Sequence, residues 1–152
     1  MVAFEILIKI LAVGSFLFSA FSIWQNSKYN RKQWNLNAFT YYTNRYESIM
    51  DSFPQDAFIV RFDLESHVKS SQDLRLAALK YLNMTSEEYY LWKDGYLDEK
   101  LWKIWLHEIK RTLETPLFIR EWQNLRAEFA SYPEFSNFVD KIQSSTSFKS
   151  IK

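Results

Sequence analysis

An arginine and a histidine, Arg61 and His67, are the residues whose types and spacing are best suited to catalysis. A histidine can move a proton near neutral pH, and an arginine can stabilise negative charge that develops in a transition state. We therefore treat Arg61 and His67 as a candidate catalytic pair. The alternative is structural, with Arg61 paired to Asp63 or Glu65 at the surface and His67 in a solvated loop.

Other residues with reactive side chains favour structural roles. His107 precedes Glu108 without the spacing of a metal site, and we expect it on a helix surface. The acidic pairs Glu87-Glu88 and Asp98-Glu99 fall at predicted helix starts, where the helix dipole favours negative charge.

The composition of the 152-residue chain excludes several kinds of site. It contains no Cys, so it has no thiol nucleophile or zinc knuckle, and its two Gly leave no Gly-rich phosphate loop. Two Gly and three Pro are also too few turn residues for an all-β fold. The net charge of +1 argues against nucleic acid as a partner. We expect neither a metal nor a cofactor.

The N-terminal segment is apolar enough to be a membrane anchor, predicted over residues 1–26. Only Glu5 and Lys9 are charged among residues 1–24, and they could pair across one helical turn. Residues 6–24 would form about 28 Å of helix, close to the ~30 Å of a hydrocarbon core. Trp24 falls where an interfacial aromatic is expected. The alternatives are a cleaved signal peptide and the core helix of a water-soluble protein.

A basic segment follows the apolar one. Lys28, Arg31, Lys32 and Arg45 occur with no acidic residue between positions 25 and 46. The positive-inside rule then places the C-terminal side in the cytoplasm and the N-terminus outside, in a bacterial inner membrane. We also expect Trp24, Lys28, Arg31 and Lys32 at the membrane surface, where anionic lipids attract the basic side chains.

Small residues form one stripe along the predicted span. This stripe comprises Ala12, Ser15, Ser19, Ser22 and Asn26, which lie within about 80° of one another on a helix. Small side chains reward a neighbouring helix more than lipid does. We therefore expect the stripe, with Glu5 and Lys9, to mediate self-association of spans or to line a lumen. The alternative is that the serines bond their own i−4 carbonyls.

The remaining chain is predicted to be helical, with a cytoplasmic domain over residues 27–143 and a flexible tail over 144–152. The span continues as a helix to Ser52 or Phe53, ahead of Pro54. A short helix follows over residues 55–64, with Phe58, Ile59 and Phe62 inward, and the next begins near residue 72. The Thr85–Glu88 segment has a capping-box pattern that is compatible with a break in that helix.

Further boundaries follow from capping residues and apolar spacing. Gly95 predicts a helix end, and Asp98, Thr115-Pro116 and Pro133 predict helix starts. The apolar residues expected in the core of these helices are Leu74, Ala77, Ala78, Tyr81, Leu82, Leu101, Trp102, Trp105, Ile109, Leu113, Phe118, Trp122, Leu125 and Phe129. The predicted fold class is all-α, with one N-terminal transmembrane helix continuing into a bundle of five to six helices.

The sequence resembles small single-span bacterial membrane proteins with an uncharacterised helical cytoplasmic domain. The segments that carry the resemblance are Arg31-Lys32-Gln33-Trp34-Asn35, Arg45-Tyr46-Glu47-Ser48-Ile49-Met50, Tyr81-Leu82-Asn83, Glu87-Glu88-Tyr89-Tyr90, Trp102-Lys103-Ile104-Trp105 and Trp122. The resemblance extends over roughly residues 6–143, and the group brings no established activity.

In size and layout the chain is more remotely similar to the membrane accessory proteins of type VI-B CRISPR systems. That resemblance implies a HEPN-like helical domain and a ring that opens a membrane pore in antiviral defence. Arg61 and His67 also match the loose Arg-x4-6-His pattern of HEPN ribonucleases, although Phe62 stands where active members usually have a polar residue. In those enzymes two motifs meet across a dimer, and the His moves a proton of the RNA 2′-hydroxyl or of the leaving oxygen.

These observations predict a membrane-anchored protein that associates with itself and with the lipid bilayer and that perturbs or gates the membrane. One alternative is a membrane-tethered HEPN-like ribonuclease that uses Arg61 and His67. Another is a passive anchor or scaffold whose cytoplasmic face docks a partner protein.

Overall fold

The computed structural model describes residues 2–63 and 68–147, and over these ranges the chain is helical without a strand. This confirms the predicted all-α class. The helices are α1 (Val2–Asp51), α2 (Gln55–Val60), α3 (Gln72–Lys93), α4 (Glu99–Leu113), α5 (Pro116–Leu125), a 3₁₀ helix (Arg126–Phe129) and α6 (Pro133–Ser147). Predicted features at residues 64–67 and 148–152 lie outside the described residues.

The chain divides into two compact units, Met1–Ala38 and Phe39–Lys152. The first unit is a single stretch of α1. This helix is long and apolar enough to cross a membrane, and no residue of its most apolar 18-residue window is buried. Its large apolar side chains, among them Phe16 and Leu17, are exposed. As predicted, α1 does not stop after the apolar segment, and it ends at Asp51, one residue before the predicted end.

The second unit has a core rich in aromatic rings. The Tyr81 ring lies 4.9 Å from that of Phe118, which in turn lies 6.0 Å from Phe53. The indole rings of Trp92 and Trp102 stack at 4.7 Å. Buried aromatic side chains remove large apolar areas from water, so they contribute most to the stability of a small domain.

Capping residues fix the helix boundaries of the second unit. The Asp98 carboxylate accepts the Leu101 N–H at 2.8 Å, so α4 begins where predicted. Thr115 caps α5 with Pro116 at the first helical position, also as predicted. Gly95 follows α3 with φ of 79°, a left-handed conformation that favours glycine.

The break near Thr85 with which the capping-box pattern is compatible does not form, because α3 runs unbroken from Gln72 to Lys93. Thr85 is fully buried, and the Ser86 hydroxyl bonds the Asn83 carbonyl instead of capping a new helix. Buried apolar residues precede Thr85, and the half-buried Tyr89 and Leu91 follow it against the core, so one long helix buries more area than two short ones.

The second helix is also shorter than predicted and presents a different face. Ala57 is its buried residue, whereas Ile59 is 71% exposed and Phe58 is exposed as well. Small Ala57 lets the short helix approach the core, which turns the larger side chains outward. The Phe62 ring is half-buried under the Arg111 guanidinium, 4.0 Å from its centroid.

The C-terminal helices differ from prediction at their ends. The stripe that begins at Phe118 and ends at Phe129 is buried, but α5 stops at Leu125 and a 3₁₀ turn carries Phe129 inward. Helix α6 extends to Ser147, past the predicted start of the flexible tail at residue 144.

A buried carboxylate, Glu121, ties a connecting segment to α5. The Ser70 hydroxyl donates to Glu121 Oε1 at 3.0 Å and Arg120 Nε donates to it at 2.9 Å. Arg75 Nε lies 3.8 Å from the other oxygen, Oε2. Arg120 also donates to the Val68 carbonyl. Val68 and Ser70, which precede α3, are therefore anchored by charge-assisted hydrogen bonds.

Replacing Glu121 with Gln should destabilise the second unit by about 2 kcal/mol. The substitution removes the negative charge that Arg120 and Arg75 face and weakens the hydrogen bond from Ser70. Thermal unfolding of the full chain in dodecyl maltoside, followed by near-ultraviolet circular dichroism, measures the change. The matched control is Glu128→Gln, which removes the same charge from an exposed position. Equal midpoints for the two variants would contradict a structural role for Glu121.

Candidate functional site

Three helices of the second unit enclose a pocket of about 200 Å³. The C-terminal part of α1 supplies one wall, α3 the second and α4 the third. Most of the lining side chains are aromatic or apolar, and two are carboxylic acids: Phe39, Tyr42, Thr43, Tyr46, Tyr81, Met84, Glu88, Trp105, Glu108 and Ile109. Phe39 and Glu108 are exposed, whereas Tyr81 and Glu88 are buried. The pocket is thus lined by both rim and core residues.

Glu88 is the chemically distinctive residue of this pocket. Its side chain belongs to the core, and the residue is only 4% exposed. Among the described residues, none donates a hydrogen bond to its carboxyl group. Removing a carboxylate from water without a partner is costly, so the neutral acid is favoured.

The neighbouring carboxylate, Glu87, is in the opposite situation. Arg45 bonds both of its oxygens, with Nη2 at 2.9 Å from Oε1. The Tyr42 hydroxyl also donates to Glu87 Oε2, at 3.3 Å. Arg45 is therefore hydrogen-bonded to Glu87, and it acts on Glu88 through its charge alone.

Burial raises the pKa of Glu88 to about 8. The charge of Arg45 works against this shift, and the negative charge of Glu87 adds to it. Burial and the nearby Glu87 also raise the pKa of Tyr42, so that phenol stays protonated. At neutral pH the pocket thus contains a carboxylic acid that can give up a proton when a positive charge approaches.

Only Arg61 of the predicted catalytic pair lies within the described residues. Arg61 lies after α2, where its guanidinium stacks 3.8 Å from the Phe58 ring and 4.6 Å from the Phe62 ring. It also donates to the Phe58 carbonyl. His67 lies outside the described residues, so a catalytic role of this pair stays a prediction.

The residues predicted to mediate span contacts all lie on the first unit's part of α1. Glu5, Lys9, Ala12, Ser15 and Ser19 are exposed, and Ser22 is half-buried. Within the described chain, no ion pair joins Glu5 to Lys9. The Ser15 hydroxyl donates to the Leu11 carbonyl at 2.9 Å, which is the alternative stated for the serines. Leu11, Gly14, Ser15, Phe18 and Ser19 together line a shallow groove on the helix surface.

The predicted membrane-surface residues are also exposed. The Lys28 ammonium lies 5.3 Å from the centre of the Trp24 ring, within cation–π range. Arg31 and Lys32 follow on the same helix with exposed side chains. Their exposure leaves the three basic side chains accessible to anionic groups.

Sequence reasoning missed Glu88 because the capping-box pattern is compatible with a break at Thr85, which would remove Glu88 from the core stripe. On an unbroken α3, Glu88 falls on the stripe that runs through Leu74, Ala78, Tyr81 and Thr85 at spacings of three and four. A charged residue at a core position of a helix is a signal for function or for a buried pair. The same signal marks Glu121, three residues after Phe118.

The described residues bring together no group of three His, Asp or Glu side chains that could hold a metal ion. Comparison with family models, curated proteins and solved structures finds no match to this chain.

Glu88 should make the folded state more stable in acid than in mild base. Its folded pKa of about 8 exceeds the ordinary value of 4.5, so the folded state binds the proton more tightly. The stabilisation is complete below about pH 4.5 and is lost as the pH rises through about 8. The loss is on the order of 4 kcal/mol between about pH 5 and pH 9.

The measurement compares wild type with Glu88→Gln, which keeps the shape and cannot ionise. We expect the difference in unfolding midpoint between them to change steadily over this range, because other titrating groups cancel. A constant difference across the range would show that Glu88 ionises normally.

Proposed function

We propose that this chain is a single-span membrane protein, with the first part of α1 in the bilayer and the helical domain on the cytoplasmic side. The observation that carries the proposal is the exposure of the apolar side chains of α1. Phe16 and Phe18 are each 72% exposed, and the most apolar window of the helix has no buried residue. Apolar surface of this extent requires a lipid or protein partner.

Energy favours lipid as that partner. Burying one Leu, Ile or Phe side chain is worth about 1.5–3 kcal/mol, and the segment carries many of them. A helix satisfies its own backbone hydrogen bonds, so it can enter hydrocarbon without leaving polar groups unpaired. Lys9 lies near the start of the segment, where its long side chain can reach the headgroups.

The basic residues after the apolar segment support a cytoplasmic location for the domain. Lys28, Arg31 and Lys32 are exposed and lie within three helical turns of Trp24. Retention of such residues on the cytoplasmic side sets the orientation of most single spans.

Cysteine labelling tests this orientation, and the absence of native Cys gives a clean background. Ala3→Cys should react with a membrane-impermeant maleimide in intact spheroplasts, and Ser131→Cys should react only after lysis. Ser131 is exposed, so its protection would come from the membrane. Labelling of both positions in intact spheroplasts, or of Ser131→Cys alone, would contradict the proposed topology.

We further propose that the spans associate and that the assembly perturbs or gates the membrane. The small residues Ala12, Ser15 and Ser19 lie on one side of α1 and would let two helices approach closely. The bond from Ser15 to Leu11 satisfies its hydroxyl within the helix, so close packing costs no lost hydrogen bond.

Replacing Ser15 and Ser19 with Leu should reduce the assembly to monomers, because the added side chains separate the helices. The matched control is Val13→Leu with Ala20→Leu, which adds bulk to the opposite side of the helix. Light scattering after size exclusion in mild detergent measures the mass of each protein. Unchanged assembly of the Ser15 and Ser19 variant would refute association through this stripe.

The mass of the unmodified protein distinguishes the remaining alternatives. A closed ring of many copies supports gating, because a ring is needed to surround a lumen. A dimer supports the HEPN-like ribonuclease with Arg61 and His67, and a monomer supports the anchor or scaffold.

A further inference from the structure

We propose that the pocket around Glu88 binds a small organic cation, such as a quaternary or primary ammonium, between the Glu88 carboxylate and the surrounding aromatic rings. The proposal concerns the second unit alone and is independent of whether α1 spans a membrane or associates with itself.

The charges around the pocket favour a cation over an anion. The lining contains two carboxyl groups, those of Glu88 and Glu108. The described lining contains no Lys, Arg or His. The nearest arginine to Glu88, Arg45, is bonded to Glu87 through both carboxylate oxygens. Glu108 is itself paired with Arg111, whose Nη1 lies 3.6 Å from Glu108 Oε2. An anion would therefore find no Lys, Arg or His in the described lining, whereas a cation would meet the buried Glu88 carboxyl, to which no described residue donates.

The aromatic lining favours an organic cation over a metal ion. Tyr42 and Trp105 have ring centres 5.3 Å apart at an interplanar angle of 59°, and Tyr46 and Tyr81 lie 6.4 Å apart at 69°. Rings that are tilted against one another around one cavity can turn their faces, which attract cations, toward an alkylammonium group. A bare metal ion requires several oxygen or nitrogen ligands, and this pocket supplies one buried carboxyl.

The volume sets the size of the ligand. About 200 Å³ corresponds to roughly seven water molecules at the density of the liquid. Choline and ethanolamine are of this size or smaller. A drug-sized molecule requires a larger pocket.

Binding must ionise Glu88. The neutral acid releases its proton to solvent, and the resulting carboxylate pairs with the incoming cation, so one proton leaves for each ligand bound. The groups around Glu88 that could share this titration are Arg45, Tyr42 and Tyr46 on α1, Glu87 and Tyr81 on α3, and Glu108 on α4. Burial raises the pKa of Tyr42 and Tyr81, so these phenols stay protonated, and it raises the pKa of Glu88 to about 8.

Calorimetric titration of the full chain with choline tests the proposal. The detergent is dodecyl maltoside, whose headgroup carries no ammonium, and the neutral isostere 3,3-dimethyl-1-butanol is the comparison ligand. We expect choline affinity to rise about tenfold for each pH unit between about 6 and 8 and to level off above that. Heats in buffers of different ionisation enthalpy should show about one proton released per choline at neutral pH.

Two variants assign the binding to the pocket. Glu88→Gln should lose choline affinity at least tenfold at about pH 8 and lose the proton release, while Glu128→Gln should bind as wild type does. Trp105→Leu should also bind choline more weakly, since it removes a ring and keeps the carboxyl. Equal binding of choline and its isostere, or choline binding that survives Glu88→Gln, would overturn the proposal. Absence of binding at roughly 100 mM choline would also overturn it.

The ammonium can come from a free molecule or from a lipid headgroup, and nanodiscs distinguish the two sources. If headgroups enter the pocket, choline should bind more weakly in phosphatidylethanolamine nanodiscs than in phosphatidylglycerol nanodiscs. Equal affinity in both would assign the pocket to free organic cations.

Discussion

Packing of aromatic side chains against one another removes the Glu88 carboxyl from water, and this desolvation gives the second unit its chemistry. Ring contacts between Tyr46 and Tyr81 and between Tyr42 and Trp105 bring α1, α3 and α4 together. The space that remains among the rings contains a carboxyl without a donor. A second buried acid, Glu121, accepts hydrogen bonds on Oε1 from Ser70 and Arg120, and Arg75 Nε lies 3.8 Å from its Oε2, so positive charge within the fold compensates its own.

Helix α1 supplies two very different surfaces to the molecule. Its N-terminal part exposes Phe16, Leu17 and Phe18, and its C-terminal part carries Tyr42 and Ile49 into the core of the second unit. Apolar side chains left outside a core require another apolar phase, and polar side chains left inside one require a partner. Insertion into a bilayer would give the exposed apolar side chains of α1 an apolar phase, and a bound cation would give the buried Glu88 carboxyl a partner.

Features set by local sequence could be predicted, because their physics involves few residues. The caps at Asp98 and Thr115, the turn at Gly95 and the apolar spacing of α4 and α5 belong to this group. Whether a helix begins at the Thr85–Glu88 segment depends on the residues that pack against it, because tertiary burial overrides a capping signal. The pocket could not be predicted, since its walls come from three helices and the apolar pattern of each helix does not give how they pack against one another.

The ionisation of Glu88 itself tests the account most directly. Infrared difference spectra of wild type against Glu88→Gln isolate the carbonyl band of this one protonated acid in the full chain. A desolvated Glu88 should give a band that is present at neutral pH and disappears as the pH passes about 8. A band that disappears near the ordinary carboxyl value of 4.5 would show that water or an unseen donor reaches Glu88, which contradicts the account.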